Sequence, residues 1–286
     1  MQLLRRSELV LAVYFAYAAV VSLILPVRPD IRAVTVALNL AVLAGLALVA
    51  WTDSLRRRSL LGIVRDWYPM PLMLLAYREM GWFAQPHPNT DLERSWVVWD
   101  KLLLNDWGLR TAIEILGPVL PALLEIAYSL VYTMGPFSLA VLYACGRRAR
   151  VDRFLFPFLL AVLGCYVLFP FFPSEPPRTV FPGEDLPSVQ TVFRRFNAGL
   201  VGNWGIHTSV FPSAHVAGAF SAAFAMMRVL PENRWAGRLL VVMAVMIATA
   251  TVYGRYHYLV DVLAGFAMSL VGIAASALAD RKLLVR

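Results

Sequence analysis

Apolar runs of bilayer length follow one another along most of the chain. Residues 9–25, 33–51, 117–145, 154–172, 215–230, 239–253 and 258–278 are each dominated by Leu, Val, Ala, Ile and Phe. A helix of about 20 such residues crosses a hydrocarbon core roughly 30 Å thick, and it satisfies its own backbone polar groups while doing so. An eighth run, 67–83, is interrupted by Pro69, Pro71, Arg78 and Glu79. It reads as a full span, a broken helix or a re-entrant segment. The pattern predicts an all-α, polytopic bundle of about eight spans, forming one membrane domain without an internal repeat.

Two polar stretches separate the runs. In 84–116, Trp96, Trp99 and Trp107 follow closely on Trp82. Indoles prefer the headgroup level, so this segment is expected to lie in the interface. The other stretch, 173–212, is rich in proline, glycine and charge. Residues 1–116 read as N-terminal spans plus the interfacial segment, and 117–286 as a helical core, the catalytic part if the motifs described below carry chemistry.

Composition agrees: 59% of residues are hydrophobic and 15% charged, against roughly half and a quarter in soluble domains. The formal charge of +8 belongs with cytoplasmic loops and anionic lipid, and nucleic acid is not expected as a partner. Eight spans with both termini inside place 16 of the 26 Lys and Arg residues in inside segments. If 67–83 does not cross, Arg56, Arg57 and Arg58 move outside, against the positive-inside tendency. The run after Arg5 and Arg6 lacks a clear small-x-small cleavage site and is expected to stay as a first helix. Cys145 and Cys165 show no metal-ligand spacing and read as free buried thiols; palmitoylation of Cys145 is the alternative.

The chemistry concentrates in two motifs. In Pro212-Ser213-Ala214-His215, Ser213 is a candidate N-cap for the following apolar helix. The first amides of that helix lack internal partners and, with the dipole, attract an anion. Ala214 is small enough to let phosphate approach, and His215 stands in the first turn. The second motif is His257-Tyr258-Leu259-Val260-Asp261. Four residues apart on a helix, His257 and Asp261 share a face. The carboxylate there can hold one imidazole nitrogen and leave the other free to attack. Ionisable groups at membrane depth are costly, which favours a functional reading.

Counting crossings brings Arg178, His215, Arg255, His257 and Asp261 to one side. Two histidines and an aspartate could ligate zinc, but the neighbouring arginines would repel a cation and suit phosphate. No metal or cofactor is expected. His87 reads as a solvated loop histidine. His207, Arg194 and Arg195 are candidate headgroup contacts.

Together the motifs resemble the type 2 phosphatidic acid phosphatase superfamily, with its Pro-Ser-small-His and His-x-x-x-Asp signatures. The likeness is greater to the branch containing fungal inositol phosphorylceramide synthase. That branch favours Phe-Pro-x-x-Pro-Pro-Arg, Pro-Ser-x-His-Val-Ala and His-Tyr-x-x-Asp-x-x-Ala-Gly, which match 172–178, 212–217 and 257–265. The plain phosphatases carry Ser-Arg six and seven residues before the second histidine, where this chain has Ala250 and Thr251. They also carry a lysine where Phe171 stands. Arg255 is the candidate replacement for the missing arginine.

The resemblance implies a six-helix phosphatase-like core and a phosphohistidine mechanism. His257 would attack phosphorus, Asp261 would orient it, and His215 would protonate the leaving group. Arg178, Arg255, and the backbone around Ser213 and Ala214 would hold the phosphoryl oxygens. The expected activity is a membrane-embedded phosphotransferase, moving a phosphoryl group or phospho-headgroup from a lipid to an alcohol such as inositol. With water as acceptor the same site is a lipid phosphatase; binding alone would make it an anionic-lipid transporter. The expected site faces the non-cytoplasmic side. Small residues in 258–278, including Gly265, Gly272, Ala274 and Ala275, permit close helix packing within the chain or between subunits.

Overall fold

The computed structural model describes residues 3–56, 59–83, 89–206, 208 and 210–284. Among them every regular element is a helix. In order these are α1 (Arg6–Ile24), α2 (Pro29–Arg56), α3 (Ser59–Trp67), α4 (Pro69–Phe83), α5 (Asp91–Lys101), α6 (Leu109–Glu114) and α7 (Val119–Leu130). There follow α8 (Met134–Ala144), α9 (Val151–Leu168), α10 (Pro177–Val180), α11 (Val192–Trp204), α12 (Ala214–Val229), α13 (Arg234–Tyr253) and α14 (Leu259–Leu284).

Among the described residues six stretches are long and apolar enough to cross a membrane: α1, α2, the α7–α8 pair, α9 with its flanking turns, α13 and α14. The chain is a multi-pass integral membrane protein. Two further helices, α12 and α4, have 16 and 15 residues, or about 24 and 22 Å at the usual rise.

Prolines explain two departures from an unbroken pattern. Pro69 and Pro71 lie in the first turn of α4, where a missing N–H costs nothing, so they start the helix rather than break it. Pro136 lies inside the 117–145 run and cannot bond back to the carbonyl of Tyr132. There the run breaks into a 3-10 turn, Val131–Thr133, between α7 and α8. The charges in α4 also find partners. Glu79 accepts from the Asn39 side chain of α2, and Arg78 donates to the Trp204 carbonyl at 2.7 Å.

Small residues build the centre. On α12, Ala217, Ala219, Ala222 and Ala223 are fully buried, and the helix packs against α9, α13 and α14. A Cβ on Gly265 would stand 2.4 Å from the Ser213 carbonyl, and one on Gly272 would stand 2.6 Å from that of Pro157. These two close approaches are within the chain. Ala274 is exposed. Cys145 and Cys165 are free, and Cys165 is buried.

One end of the bundle is tied by ion pairs. Glu8 and Asp53 hold Arg65, and Asp66 takes Arg5 and Arg148. Asp280 takes Arg6, Arg153 and Arg228. The motif residues gather at the opposite end, where α12 and α14 begin and α9 and α13 finish.

Candidate active site

His215 is the second residue of α12. Ser213 caps that helix, its hydroxyl accepting from the Val216 amide at 3.4 Å. The Ser213 amide itself donates to the Asp261 carbonyl at 3.0 Å. The Ala214 and His215 amides, at the helix start, are left without an intrahelical acceptor. Both residues line a cavity of about 840 Å³, its open mouth included.

His257 lies in the turn between α13 and α14. Its Nδ1 is 3.0 Å from the Val210 carbonyl and 3.4 Å from Asp261 Oδ2. Two acceptors therefore hold Nδ1 in its protonated form, which leaves a lone pair on Nε2. Nε2 points at His215 Nδ1, 3.3 Å away. The carboxyl of Asp261 is itself fixed by the Tyr258 amide at 2.8 Å. Burial pushes the His257 imidazole down to about 3, the positive charge of Arg178 adds to this, and the Val210 carbonyl opposes it. The ring is therefore neutral at pH 7, as a nucleophile must be.

An aromatic ladder positions the remaining groups. Tyr128 of α7 stacks on His215 at 5.3 Å and on Tyr256 at 4.0 Å. Arg178 sits over the Tyr256 ring, its guanidinium carbon 5.4 Å from the ring centre, a cation–π contact. Tyr132 places its hydroxyl 3.4 Å from His215 Nε2. Tyr256 in turn donates to Glu125 Oε2 at 2.8 Å.

Arg178, Ala214, His215 and His257 thus share the cavity wall, with Asp261 and Ser213 directly behind them. Other expected residues stand elsewhere. Arg255 has a left-handed φ of 60° and does not line the cavity. Its guanidinium meets Asp100 at 2.5 Å, with both side chains fully buried. Its backbone carbonyl accepts from the Arg178 amide at 3.3 Å. Arg194 pairs with Glu125 at 3.0 Å and Arg195 is exposed. His87 and His207 fall outside the described residues.

Sequence reasoning missed Asp100 and Glu125. Asp100 Oδ1 accepts from the Leu259 amide at 2.7 Å while Oδ2 takes Arg255. One carboxylate of α5 therefore grips the turn between α13 and α14 on both sides of His257. Burial pushes that carboxyl up to about 6, against the pull of the Leu259 amide and Arg255. Glu125 receives Arg194, Asn197 and Tyr256. It is an acid within an apolar run, and that cost was the available signal. Nothing local marks Asp100, whose partners come from far along the chain. Trp96 is half-buried, packed on Phe211 and Tyr258 at 5.1 and 5.7 Å. Trp99 and Trp107 are exposed.

The fold and this cluster define a membrane-embedded helical protein with a paired-histidine site beside an arginine. A family model described as the PAP2 superfamily matches residues 96–275, and the chain belongs to that superfamily, whose members are generally phosphatases or phosphotransferases. The chain matches no curated protein and no solved structure. The matched stretch begins at Trp96 and so includes Asp100.

Proposed function

We propose that the chain is a lipid phosphotransferase acting through a phosphohistidine on His257. The observation that carries this reading is the orientation of that ring: Nδ1 is held by Val210 and Asp261, and Nε2 faces His215. The incoming phosphorus displaces the 3.3 Å contact between the histidines. His257 Nε2 attacks it, the bond from phosphorus to the leaving oxygen breaks, and that oxygen takes the proton that His215 holds as an imidazolium once the phosphate anion lies beside it, leaving His215 neutral. His215 then removes the proton of the acceptor hydroxyl. The acceptor oxygen attacks phosphorus, the N–P bond breaks, and both histidines return to their starting states. Arg178 and the Ala214 and His215 amides hold the phosphoryl oxygens as charge builds. Arg255, held away on Asp100, positions the catalytic turn instead.

An alcohol acceptor is favoured by the motifs at 172–178, 212–217 and 257–265, which resemble the inositol phosphorylceramide synthase branch, and by Ala250 and Thr251 in place of the phosphatase pair. Water as acceptor would make the protein a lipid phosphatase. The test is purified protein with a panel of lipid phosphates and phospholipids, with and without inositol, read by mass spectrometry. A phosphorylated alcohol or lipid product supports transfer; free phosphate alone refutes it in favour of hydrolysis.

The site is assigned to the non-cytoplasmic face and both termini to the cytoplasm. The support is charge: Arg5, Arg6, Arg65, Arg148, Arg153 and Arg228 cluster at the other end, and arginine collects on the inside. This polarity counts α4 and α12 as crossings.

A further inference from the structure

The active-site cavity does not stop at the histidines. Phe158, Val162 and Phe169 of the α9 region line it, with Met73 and Leu74 of α4 and Val131 of the 3-10 turn. From Phe169 to Phe158 is about 16 Å of helix. The histidines and Arg178 occupy one part of this space, and the rest is largely apolar. It lies at bilayer level, because Val131 and Tyr132 are near the middle of the 26-residue span Val119–Ala144.

The cavity also has a side opening. Leu74 on α4 is 49% exposed and Tyr132 is 45% exposed, although both line the cavity. Contacts frame the gap between them. Toward the charged end, α4 meets α8, where a Cβ on Gly135 would stand 2.7 Å from Met70 Sδ. Toward the site end, the segment after α11 is strapped to α4. The Ile206 amide donates to Tyr77 Oη at 2.9 Å, and Arg78 donates to the Trp204 carbonyl at 2.7 Å. The opening is therefore a bounded window in the membrane-facing wall. Directly behind its rim, the Tyr132 hydroxyl is 3.4 Å from His215.

We propose that this window admits the lipid substrate sideways and that the slot behind it holds one hydrocarbon chain, with α4 as the selecting wall. The proposal rests on the reading of the histidines as a site for lipid phosphate. Chemistry picks the occupant: a slot lined by Met, Leu, Val, Phe and the rings of several tyrosines, open to lipid and continuous with a phosphate-binding end, suits an amphiphile with an anionic head. Helix α4 precedes the matched residues 96–275, so the superfamily core supplies the chemistry and the N-terminal helices supply the choice of lipid. Each methylene that a fitted pocket accepts or rejects is worth about tenfold or more in selectivity.

Two arms test this on the full-length protein in nanodiscs. In the first, a lipid phosphate carrying a mid-chain diazirine is photolysed with the protein. Labels on Met73, Leu74, Val131 or Phe158 support the slot. Labels confined to outward-facing residues such as Leu40, which is 56% exposed on α2, overturn it. This arm needs no turnover, so it decides the slot even if the phosphotransferase reading fails. In the second arm, kcat/KM is measured for lipid phosphates of increasing chain length and for the soluble ester p-nitrophenyl phosphate. Leu74→Trp, at an exposed site that does not threaten folding, should lower the lipid-to-ester ratio at least about tenfold. Leu40→Trp should leave the ratio unchanged. An unchanged ratio in Leu74→Trp, or no dependence on chain length, overturns the proposal while leaving the histidine chemistry intact.

Discussion

Replacing Asp100 with asparagine removes the carboxylate that the Arg255 guanidinium meets in the buried pair. The Arg255 guanidinium touches Asp100 at 2.5 Å, and neither side chain has any exposure. Nε and Nη2 of Arg255 are buried without hydrogen-bond partners, so Asp100 is the carboxylate in direct contact with its charge. Removing one partner of a buried pair costs about 3–5 kcal/mol, because the other charge stays uncompensated. The lower end applies here. Burial already pushes the Asp100 carboxyl up to about 6, so ionised Asp100 is itself costly and its loss returns part of the penalty. Asparagine also keeps an acceptor for the Leu259 amide, which confines the loss to the charge. The expected change is about 3 kcal/mol, read from denaturant unfolding of the detergent-solubilised protein. Pairing Asp100→Asn with Arg255→Met removes both charges and should recover most of that, a coupling of about 2 kcal/mol or more. If the two single losses simply add, the pair does not hold the turn and the reasoning fails. Turnover should follow stability: kcat falls in the single variants, because His257 lies between the two anchored points.

Other changes separate the roles of the surrounding groups. Arg178→Gln should lower kcat by about 10²–10³, the usual effect of losing one donor to a transferring group. It should also move the acid limb of kcat/KM upward, since the positive charge that helps depress the His257 pKa is gone; Arg178→Lys should hold the limb low. In the native protein a His257 pKa near 3 keeps the imbidazole unprotonated on acidification through pH 6.5, so an acid limb at the ordinary histidine value would contradict the assignment. Glu125→Gln leaves Arg194 and Tyr256 without their shared carboxylate and should cost about 3 kcal/mol in denaturant unfolding. Gly265→Ala drives a methyl against the Ser213 carbonyl; a loss of about 1–3 kcal/mol in stability is expected, together with a drop in kcat as the cap of α12 shifts.

What was legible in the sequence around the candidate site is its local geometry. The four-residue spacing of His257 and Asp261 predicts a shared neighbourhood, and Nδ1 and Oδ2 lie 3.4 Å apart. The Ser213 cap before an apolar run was equally local and appears with its Val216 bond. Long-range pairings were not legible. Arg255 is two residues from His257, yet its left-handed φ and the distant Asp100 take its side chain out of the cavity. The path of α4 was ambiguous because Pro69, Pro71, Arg78 and Glu79 look like interruptions until Asn39 and the Trp204 carbonyl are seen beside the charges. The break at Val131–Thr133 follows from Pro136, but only the fold shows that it opens onto His215.

The phosphohistidine is the central claim, and trapping it tests that claim most directly. Protein mixed with a lipid phosphate labelled in phosphorus is quenched within a turnover and digested. The account predicts an acid-labile, alkali-stable label on the peptide containing His257, absent in His257→Ala and accumulating in His215→Ala when the leaving group needs no proton. Turnover with no labelled histidine, or turnover that survives in folded His257→Ala, would contradict it.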